Sequence, residues 1–315
     1  MFKRATPKLE HTPFSGLPVE TIHVGPVGTQ VAVHIYGTLS DAALPVACLA
    51  GYTRNMLDFA ALPAAINRQP EMDIAFILID LPGRGRSAHF PTKRPYSSLD
   101  DADCVLDVLA ALDVPRALLL GEGHGGQVGM LAAQKSPGSV AGAVLIDCGP
   151  ITDSRALVRT RNNFEHLRGL RGEAGIRAAL RKIVGADYPG EGEARLDALA
   201  ARNFGIDSKG RLVPLFDPRL VAQLDKFDFD DVLEPQWPLF DCLDHVPLML
   251  VRTQMSDQLR RATFDEMTKR RTDAATLVIA GQGSPALLDG AEEISALAAF
   301  LRSASVAEDQ DSSFD

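Results

Sequence analysis

Residues 118–131 read LLLGEGHGGQVGML, and this stretch decides the fold. An apolar strand runs into a tight glycine turn, and a helix of small residues follows it. Such a strand–turn–helix holds up a nucleophile when the turn reads G-x-S-x-G, with serine, cysteine or aspartate in the third place. Here the five places of the turn are Gly121, Glu122, Gly123, His124 and Gly125. The third place is therefore a glycine, which has no side chain and cannot attack a substrate.

Strand and helix patterns alternate on both sides of this turn. Residues 19–37 predict a hairpin of two strands, and residues 45–150 alternate short apolar strands with amphipathic helices. The alternation resumes from residue 246, with a helix over 259–271, another strand and a final helix over 285–302. Such alternation is typical of a parallel sheet covered by helices. We therefore predict an α/β fold with a mostly parallel central sheet flanked by helices.

The helix predicted over residues 97–112 carries a candidate capping signal. Ser98 and Asp101 have the spacing of a capping box, in which a side chain at each end of the first turn satisfies a free backbone N–H. The same helix places apolar residues at helical spacing, which indicates one buried face.

Residues 151–240 interrupt the alternation. This segment is helical in tendency, richer in charge and broken by glycine and proline. Its place between two late strands predicts a helical lid, or cap, on a core made of residues 1–150 and 241–303. We expect Trp237 and Phe240 to anchor the lid to the core. Residues 304–315 are acidic and rich in small residues, which predicts a disordered tail.

Composition narrows the possible partners and compartments. The 315 residues carry a formal net charge of -9, which argues against nucleic acid and anionic membranes, since both attract basic surfaces. No apolar run approaches the length of a membrane span, and the N-terminus lacks the apolar region of a secretory signal. The four cysteines have no CxxC spacing, and no metal-ligand spacing or cofactor fingerprint is present. We therefore expect a cytoplasmic protein with free thiols, no metal and no cofactor.

Six stretches, taken in order, resemble the α/β-hydrolase superfamily. They read CLAGYTRNMLDF, IDLPGRGRS, LLLGEGHGG, AVLIDCGP, VPLMLVRTQMSD and VIAGQGSPALLDGAEEISALAAFL. The resemblance extends over roughly residues 29–302 and implies a lidded hydrolase fold with a Ser–His–acid triad. A Rossmann-type glycine turn is the structural alternative. It is disfavoured because the turn follows the third parallel strand and not the first, and no ribose-binding acid follows at the expected distance.

The resemblance assigns the three triad places to Gly123, Ser284 and Asp257. Gly123 stands in the place of the serine nucleophile, and Ser284 in the place of the histidine. A serine hydroxyl is a poor base near neutral pH, so only Asp257 keeps the kind of group that the triad uses. The neighbouring loop also differs, with Ala50 where the family usually has histidine. The resemblance thus implies a degenerate catalytic triad.

The resemblance also implies an oxyanion hole made by backbone groups. Its donors would be the N–H of His124 and one N–H from the loop of Ala50, Gly51 and Tyr52. His124 is a possible replacement catalytic residue, because a histidine beside the nucleophile place can act as acid or base or bind a ligand. The alternative is a polar group of the pocket wall with no chemical role.

Three functions remain open on these residues. The favoured one is a pseudo-hydrolase that binds a small apolar or carbonyl-bearing ligand, or a protein partner, in the pocket between core and lid. The second is an enzyme, either a hydrolase of ester, lactone or C–C bonds or a non-hydrolytic catalyst using His124 and Asp257 with the oxyanion hole. The third is a structural or regulatory partner that docks through the acidic tail or the lid face.

Overall fold

An eight-stranded sheet forms the centre of the molecule. The computed structural model describes residues 14–40 and 43–311, with side chains described as far as residue 305. The strand order is β1-β2-β4-β3-β5-β6-β9-β10. These strands are β1 (Glu20–Val24), β2 (Thr29–Tyr36), β3 (Val46–Leu49), β4 (Phe76–Ile79), β5 (Ala117–Glu122), β6 (Val140–Ile146), β9 (Leu248–Thr253) and β10 (Ala275–Ile279).

The sheet is mostly parallel, as the sequence predicts. β1 and β2 form the expected antiparallel hairpin, and β2 also pairs antiparallel with β4. Every other neighbouring pair in this sheet is parallel. Because consecutive side chains point to opposite faces, β3 places Val46 and Cys48 in one core and Ala47 and Leu49 in the other. The central strands are apolar at most positions since both faces of the sheet are covered.

Helices cover the two faces of the sheet. Residues of α2, α3, α8 and α9 contribute to one apolar core, and residues of α1 and α10 contribute to the other. The helices are α1 (Leu62–Ile66), α2 (Ser98–Ala111), α3 (His124–Lys135), α4 (Ser154–Gly169), α5 (Glu173–Asp187), α6 (Glu193–Ala201), α7 (Pro218–Ala222), α8 (Trp237–Asp241), α9 (Arg261–Arg270) and α10 (Ala291–Asp311). None of the helices in the described part of the chain is both long and apolar enough to cross a bilayer.

The segment between β6 and β9, here called the inserted segment (residues 151–240), is mainly helical but also contains a hairpin. β7 (Phe204–Ile206) and β8 (Leu212–Pro214) pair antiparallel, a feature that the sequence analysis missed. Turn chemistry explains it. Asp207 Oδ1 accepts hydrogen bonds from the N–H groups of Lys209 and Arg211, and Gly210 has a φ of 66°. The aspartate and the glycine of this turn are a sequence signal from which the hairpin could have been predicted.

The start of α2 and the end of α10 differ from the sequence predictions. Ser97, and not Ser98, caps α2, because its side chain accepts a hydrogen bond from the N–H of Asp100. Asp101 therefore is not part of a cap, and it is buried. α10 continues to Asp311, past the predicted start of a disordered tail at residue 304, in a stretch whose alanine and glutamate favour helix. The last four residues of that predicted tail lie outside the described residues.

Candidate functional site

The turn between β5 and α3 has the strained geometry of a nucleophile elbow. Gly123 has φ 52° and ψ -114°, a conformation that residues with a side chain rarely adopt. A Cβ at Gly121 would lie 2.5 Å from the carbonyl carbon of Gly125. A Cβ at Gly125 would lie 2.0 Å from the carbonyl oxygen of Leu49. The turn therefore requires glycine at both flanking places because of backbone contacts, whereas at Gly123 the constraints are its positive φ and a neighbouring side chain.

The side chain of Gln258 fills the space in which a nucleophile would stand. A Cβ built on Gly123 would lie 2.3 Å from Gln258 Oε1. Gln258 Nε2 donates to Glu122 Oε1 at 3.3 Å, and the Gln258 N–H donates to Ser256 Oγ at 3.3 Å. The first bond holds the carboxamide and the second holds the backbone of Gln258, so a serine at position 123 would clash until the Gln258 side chain moved. Gln258 could not be singled out from the sequence, because Gly123 and Glu122, which its side chain meets, lie far away along the chain.

The histidine-equivalent residue, Ser284, is bonded to a different acid from the one predicted. Ser284 Oγ donates to Asp147 Oδ2 at 2.5 Å. Thr253 donates to the same carboxylate through its N–H at 2.8 Å and its hydroxyl at 2.5 Å. Burial raises the pKa of Asp147, and the hydrogen bonds from Ser284 and Thr253 oppose the rise. Asp147 directly follows β6. An acid at the carboxyl end of a buried strand was the sequence signal that could have identified Asp147 as a site residue.

Asp257, the predicted triad acid, pairs with the inserted segment. Its Oδ2 lies 2.5 Å from Arg159 Nε of α4, and Arg159 Nη1 lies 2.9 Å from Asp187 Oδ1. Burial raises the pKa of Asp257, and the charge of Arg159 opposes the rise. The structure therefore brings Ser284 to Asp147, while Asp257 takes part in an ion-pair network with α4.

His124 has a carboxylate partner, but that partner is Asp101 and not Asp257. His124 Nε2 lies 2.8 Å from Asp101 Oδ2, and both side chains are buried. Arg84 Nη1 donates to the other oxygen of Asp101 at 3.0 Å, and Arg84 Nε donates to the Tyr52 carbonyl at 2.9 Å. The Tyr52 ring stands edge-on to the imidazole, with ring centroids 5.2 Å apart. His124 is thus the end of a buried Arg84–Asp101–His124 chain, and Asp257, the residue that the alternative enzyme would use with His124, is not its partner.

Asp101 and Arg84 were not identified as site residues from the sequence, for different reasons. Asp101 was assigned to a helix cap. It lies one turn before Val105, on the buried face of the helix, and a charged residue on that face was the signal that it has a buried partner. Arg84 lies in the stretch IDLPGRGRS, for which the resemblance names no site residue. Its guanidinium is buried and lies 5.6 and 5.8 Å from the ring centroids of Tyr52 and Tyr96, where cation–π contact offsets part of the lost hydration.

Two cavities meet at the elbow. The first, here called the elbow cavity, has a volume of 400 Å³, and Gly123, His124 and Asp147 line it. The second, here called the charged cavity, has a volume of 180 Å³ and is lined by Gly51, Arg54, Glu122, Arg159, Asp187, Asp257 and Ser284. Tyr52 and Gln258 line both and so form part of the boundary. The nucleophile place and the base place therefore open into different cavities.

Glu122 is the most perturbed acid of the charged cavity. It is 3% exposed, and burial, assisted by the charges of Asp58 and Asp147, raises its pKa to about 8. The charge of Arg54 and the hydrogen bond from Gln258 oppose this rise. A Cβ at Gly51 would lie 2.8 Å from Glu122 Oε2, so the small residue in the predicted oxyanion loop leaves room for this carboxyl group. Ala50, beside it, is buried.

A larger cavity lies elsewhere. It has a volume of 1540 Å³, and residues near Phe14, Arg86 and Arg202 line it without any of the predicted site residues. Across residues 14–40 and 43–305, the side chains form no group of three or more His, Cys, Asp or Glu that could hold a metal ion. The elbow and its two cavities are therefore the candidate site.

Strand order, elbow geometry and the insertion between β6 and β9 define an α/β-hydrolase fold. The chain belongs to the alpha/beta hydrolase family, whose family model matches residues 46–297. No curated protein matches the sequence.

Solved structures agree with this assignment. An alpha/beta hydrolase from Novosphingobium aromaticivorans is 26% identical with a TM-score of 0.77, and the alignment covers 91% of this chain and 98% of that one. E-2-(acetamidomethylene)succinate hydrolase is 20% identical with a TM-score of 0.69, covering 90% and 97%. A thermophilic esterase from Thermogutta terrifontis is 19% identical with a TM-score of 0.65, covering 91% and 99%. The last two likenesses show the fold alone.

Proposed function

We propose that this chain is a non-hydrolytic member of the family that binds a small ligand in the elbow cavity. One observation carries the proposal: Gln258 Oε1 lies 2.3 Å from the position that the Cβ of a nucleophile at residue 123 would take. The bond from Ser284 to Asp147 supports it, since that hydroxyl donates its proton to a carboxylate and accepts none from a nucleophile. Gly123, Ser284 and Asp257 are thus proposed as a degenerate triad with structural roles.

The elbow cavity supports the binding part of the proposal. Its 400 Å³ falls within the range of small-molecule sites. The inserted segment supplies apolar wall residues and so acts, in this proposal, as a lid on a core of residues 1–150 and 241–303. Those wall residues are Ile151, Ala156, Leu157, Leu224, Phe227 and Leu233.

The cysteines support a reducing, cytoplasmic location as part of the same proposal. All four are free, and Cys48, Cys104 and Cys148 are buried. Free buried thiols are usual in reducing compartments.

Restoring the chemistry tests the proposal. We expect purified wild type to leave short and medium acyl esters unhydrolysed. A Gly123→Ser/Ser284→His/Gln258→Ala triple variant should hydrolyse them, with Asp147 orienting the new histidine. A Gly123→Ser/Ser284→His double variant should be at least about tenfold slower than the triple, because Gln258 still occupies the space of the serine.

Two controls make the ester assay decisive. Gln258→Ala alone should stay inactive, since it adds space but no nucleophile. Wild-type turnover that His124→Ala abolishes would overturn the proposal and identify the chain as an enzyme that uses His124.

A further inference from the structure

We propose that the elbow cavity selects an uncharged, mainly apolar small molecule whose hydroxyl group donates a hydrogen bond to His124 Nδ1. The inference rests on the proposed function and names the ligand class of that cavity. Three features carry it: the fixed tautomer of His124, its free ring nitrogen, and the charge balance of the cavity wall.

The Arg84–Asp101 pair fixes the tautomer of the imidazole. Arg84 donates to Asp101 Oδ1, and a carboxylate paired with a guanidinium only accepts hydrogen bonds. Its other oxygen, 2.8 Å from His124 Nε2, therefore requires the proton on Nε2. An imidazole with its single proton on Nε2 bears a lone pair on Nδ1, and we infer that Nδ1 of His124 acts as an acceptor.

Nδ1 is the ring nitrogen left for a ligand. Within the described residues it makes no hydrogen bond, and it is absent from the fully enclosed atoms that lack a partner. His124 is only 7% exposed, and it lines the elbow cavity. A polar atom in the wall of a cavity forms its hydrogen bond with a ligand that enters the cavity. Because Nδ1 is an acceptor, that ligand must supply a donor.

The wall has no excess of positive charge that would favour an anion. Arg84 is matched by Asp101, and the other acids that line the elbow cavity, Asp147 and Asp153, accept hydrogen bonds from protein groups. Lys226 lies 5.0 Å from the Phe227 ring centroid and is the remaining lining cation among the described residues. The lone pairs of a ligand carboxylate would face the lone pair of Nδ1 and two acids of the wall, which is unfavourable. A ligand hydroxyl group can donate to Nδ1, and removing an uncharged hydroxyl from water costs less free energy than removing a carboxylate.

The first experiment compares three probes on the wild-type protein by isothermal titration calorimetry. Thymol has an apolar body and one hydroxyl group, its methyl ether lacks the donor, and cuminate is a similar body carrying a carboxylate. We expect thymol to bind roughly three- to tenfold more tightly than its methyl ether, the value of one hydrogen bond, and cuminate to bind more weakly than thymol.

An Asp101→Asn variant changes the tautomer without changing the shape of the site. The asparagine Oδ1 can accept from Arg84 while its Nδ2 donates to His124 Nε2, so the imidazole proton moves to Nδ1. We expect the preference for thymol over its methyl ether to fall to about one, and cuminate to bind more tightly than it does to wild type. A change that merely loosened the structure would weaken all three probes together.

Asp103→Asn is the matched control. Asp103 lies on the same helix, its side chain is 58% exposed, and its partner is Lys135. The preference for thymol should be the same in this variant as in wild type.

A second measurement covers the case in which Asp101→Asn does not fold. ¹⁵N NMR of histidine-labelled wild type, with His124→Gln to assign the signal, should report protonated Nε2 and a Nδ1 resonance that shifts when thymol is added but not with the methyl ether. Equal binding of thymol and its ether, binding of neither, or an Nδ1-protonated His124 would overturn the inference. Each of these results would leave the ester assay, and therefore the proposed loss of hydrolysis, unaffected.

Discussion

At the scale of single residues, the elbow shows which group lies where the side chain of a nucleophile would stand. Gln258 lies beside Gly123 in that space and bonds to Glu122. Glu122 is buried beside Arg54 in a cavity that also receives charges from the inserted segment. The pKa of about 8 is the measurable sign of this environment. Glu122 and Gln258 therefore form a connected polar network beside Gly123.

Glu122 makes stability depend on pH in a direction that can be tested. Its pKa rises from 4.5 to about 8 on folding, so between these values the folded chain holds a proton that the unfolded chain has lost. The stabilisation is complete below about pH 4.5 and is lost as the pH rises through about 8. We expect Glu122→Gln to gain roughly 3 to 6 kcal/mol relative to wild type between about pH 5 and pH 9.

Urea unfolding at a series of pH values measures this difference. Glu173→Gln, at an exposed residue paired with Arg177 on α5, is the matched control and should run parallel to wild type. If the curves for Glu122→Gln and wild type are also parallel, the buried carboxyl group does not hold the extra proton.

At the scale of elements, α4 links the inserted segment to the loop that follows β9. Arg159 of α4 pairs with Asp257 of that loop and with Asp187 of α5. Burial raises the pKa of both acids, and Arg159 opposes the rise in each case. Asp257 Oδ1 is enclosed and has no partner among the described residues, so the pairing of this carboxylate with α4 runs through its other oxygen and Arg159. The residue that resembles a triad acid thus holds two parts of the molecule together.

We expect Arg159→Gln to loosen this link. The substitution leaves two partly buried acids without their cation, and since Arg159 is 37% exposed the loss of stability should be modest, roughly 1 to 2 kcal/mol. Amide hydrogen exchange should become faster in α4 and in the loop after β9, with the central strands unchanged.

Arg168→Gln separates this effect from the loss of any arginine on α4. Arg168 is 62% exposed and pairs with Glu165 one turn away. Its loss should change stability by less than about 0.5 kcal/mol. Equal effects of the two substitutions would mean that Arg159 does not tie the segment to the core.

At the scale of the whole molecule, the sequence predicts the sheet far better than the site. The strands β3, β5 and β6 are apolar at nearly every position because helices cover both faces, and such runs are legible without a structure. The hairpin in the inserted segment was missed because its strands are three residues long and its turn signal was not weighed. The elbow could be predicted because close backbone contacts require glycine at its flanking places, and these glycines are part of the family's sequence motif.

The site was less predictable because its contacts join residues that are distant in sequence. Ser284 is 137 positions from Asp147, and Gln258 is 136 positions from Glu122. A resemblance by motif gives the place of Asp257 in the loop but not the arginine that its side chain meets. His124 was recognised as the residue to explain, yet its partner lay on a helix whose first turn appeared to be a simple cap.

The most direct test of the central claim asks whether any serine of the folded chain is a nucleophile. Intact-mass spectrometry after incubation with a fluorophosphonate reports a covalent adduct on an activated serine, wherever in the chain that serine lies. We expect wild type to keep its mass and the Gly123→Ser/Ser284→His/Gln258→Ala variant to gain one adduct at residue 123. A single stoichiometric adduct on a serine of the wild-type protein would contradict the account, because it would mean that the chain supplies its nucleophile from another element.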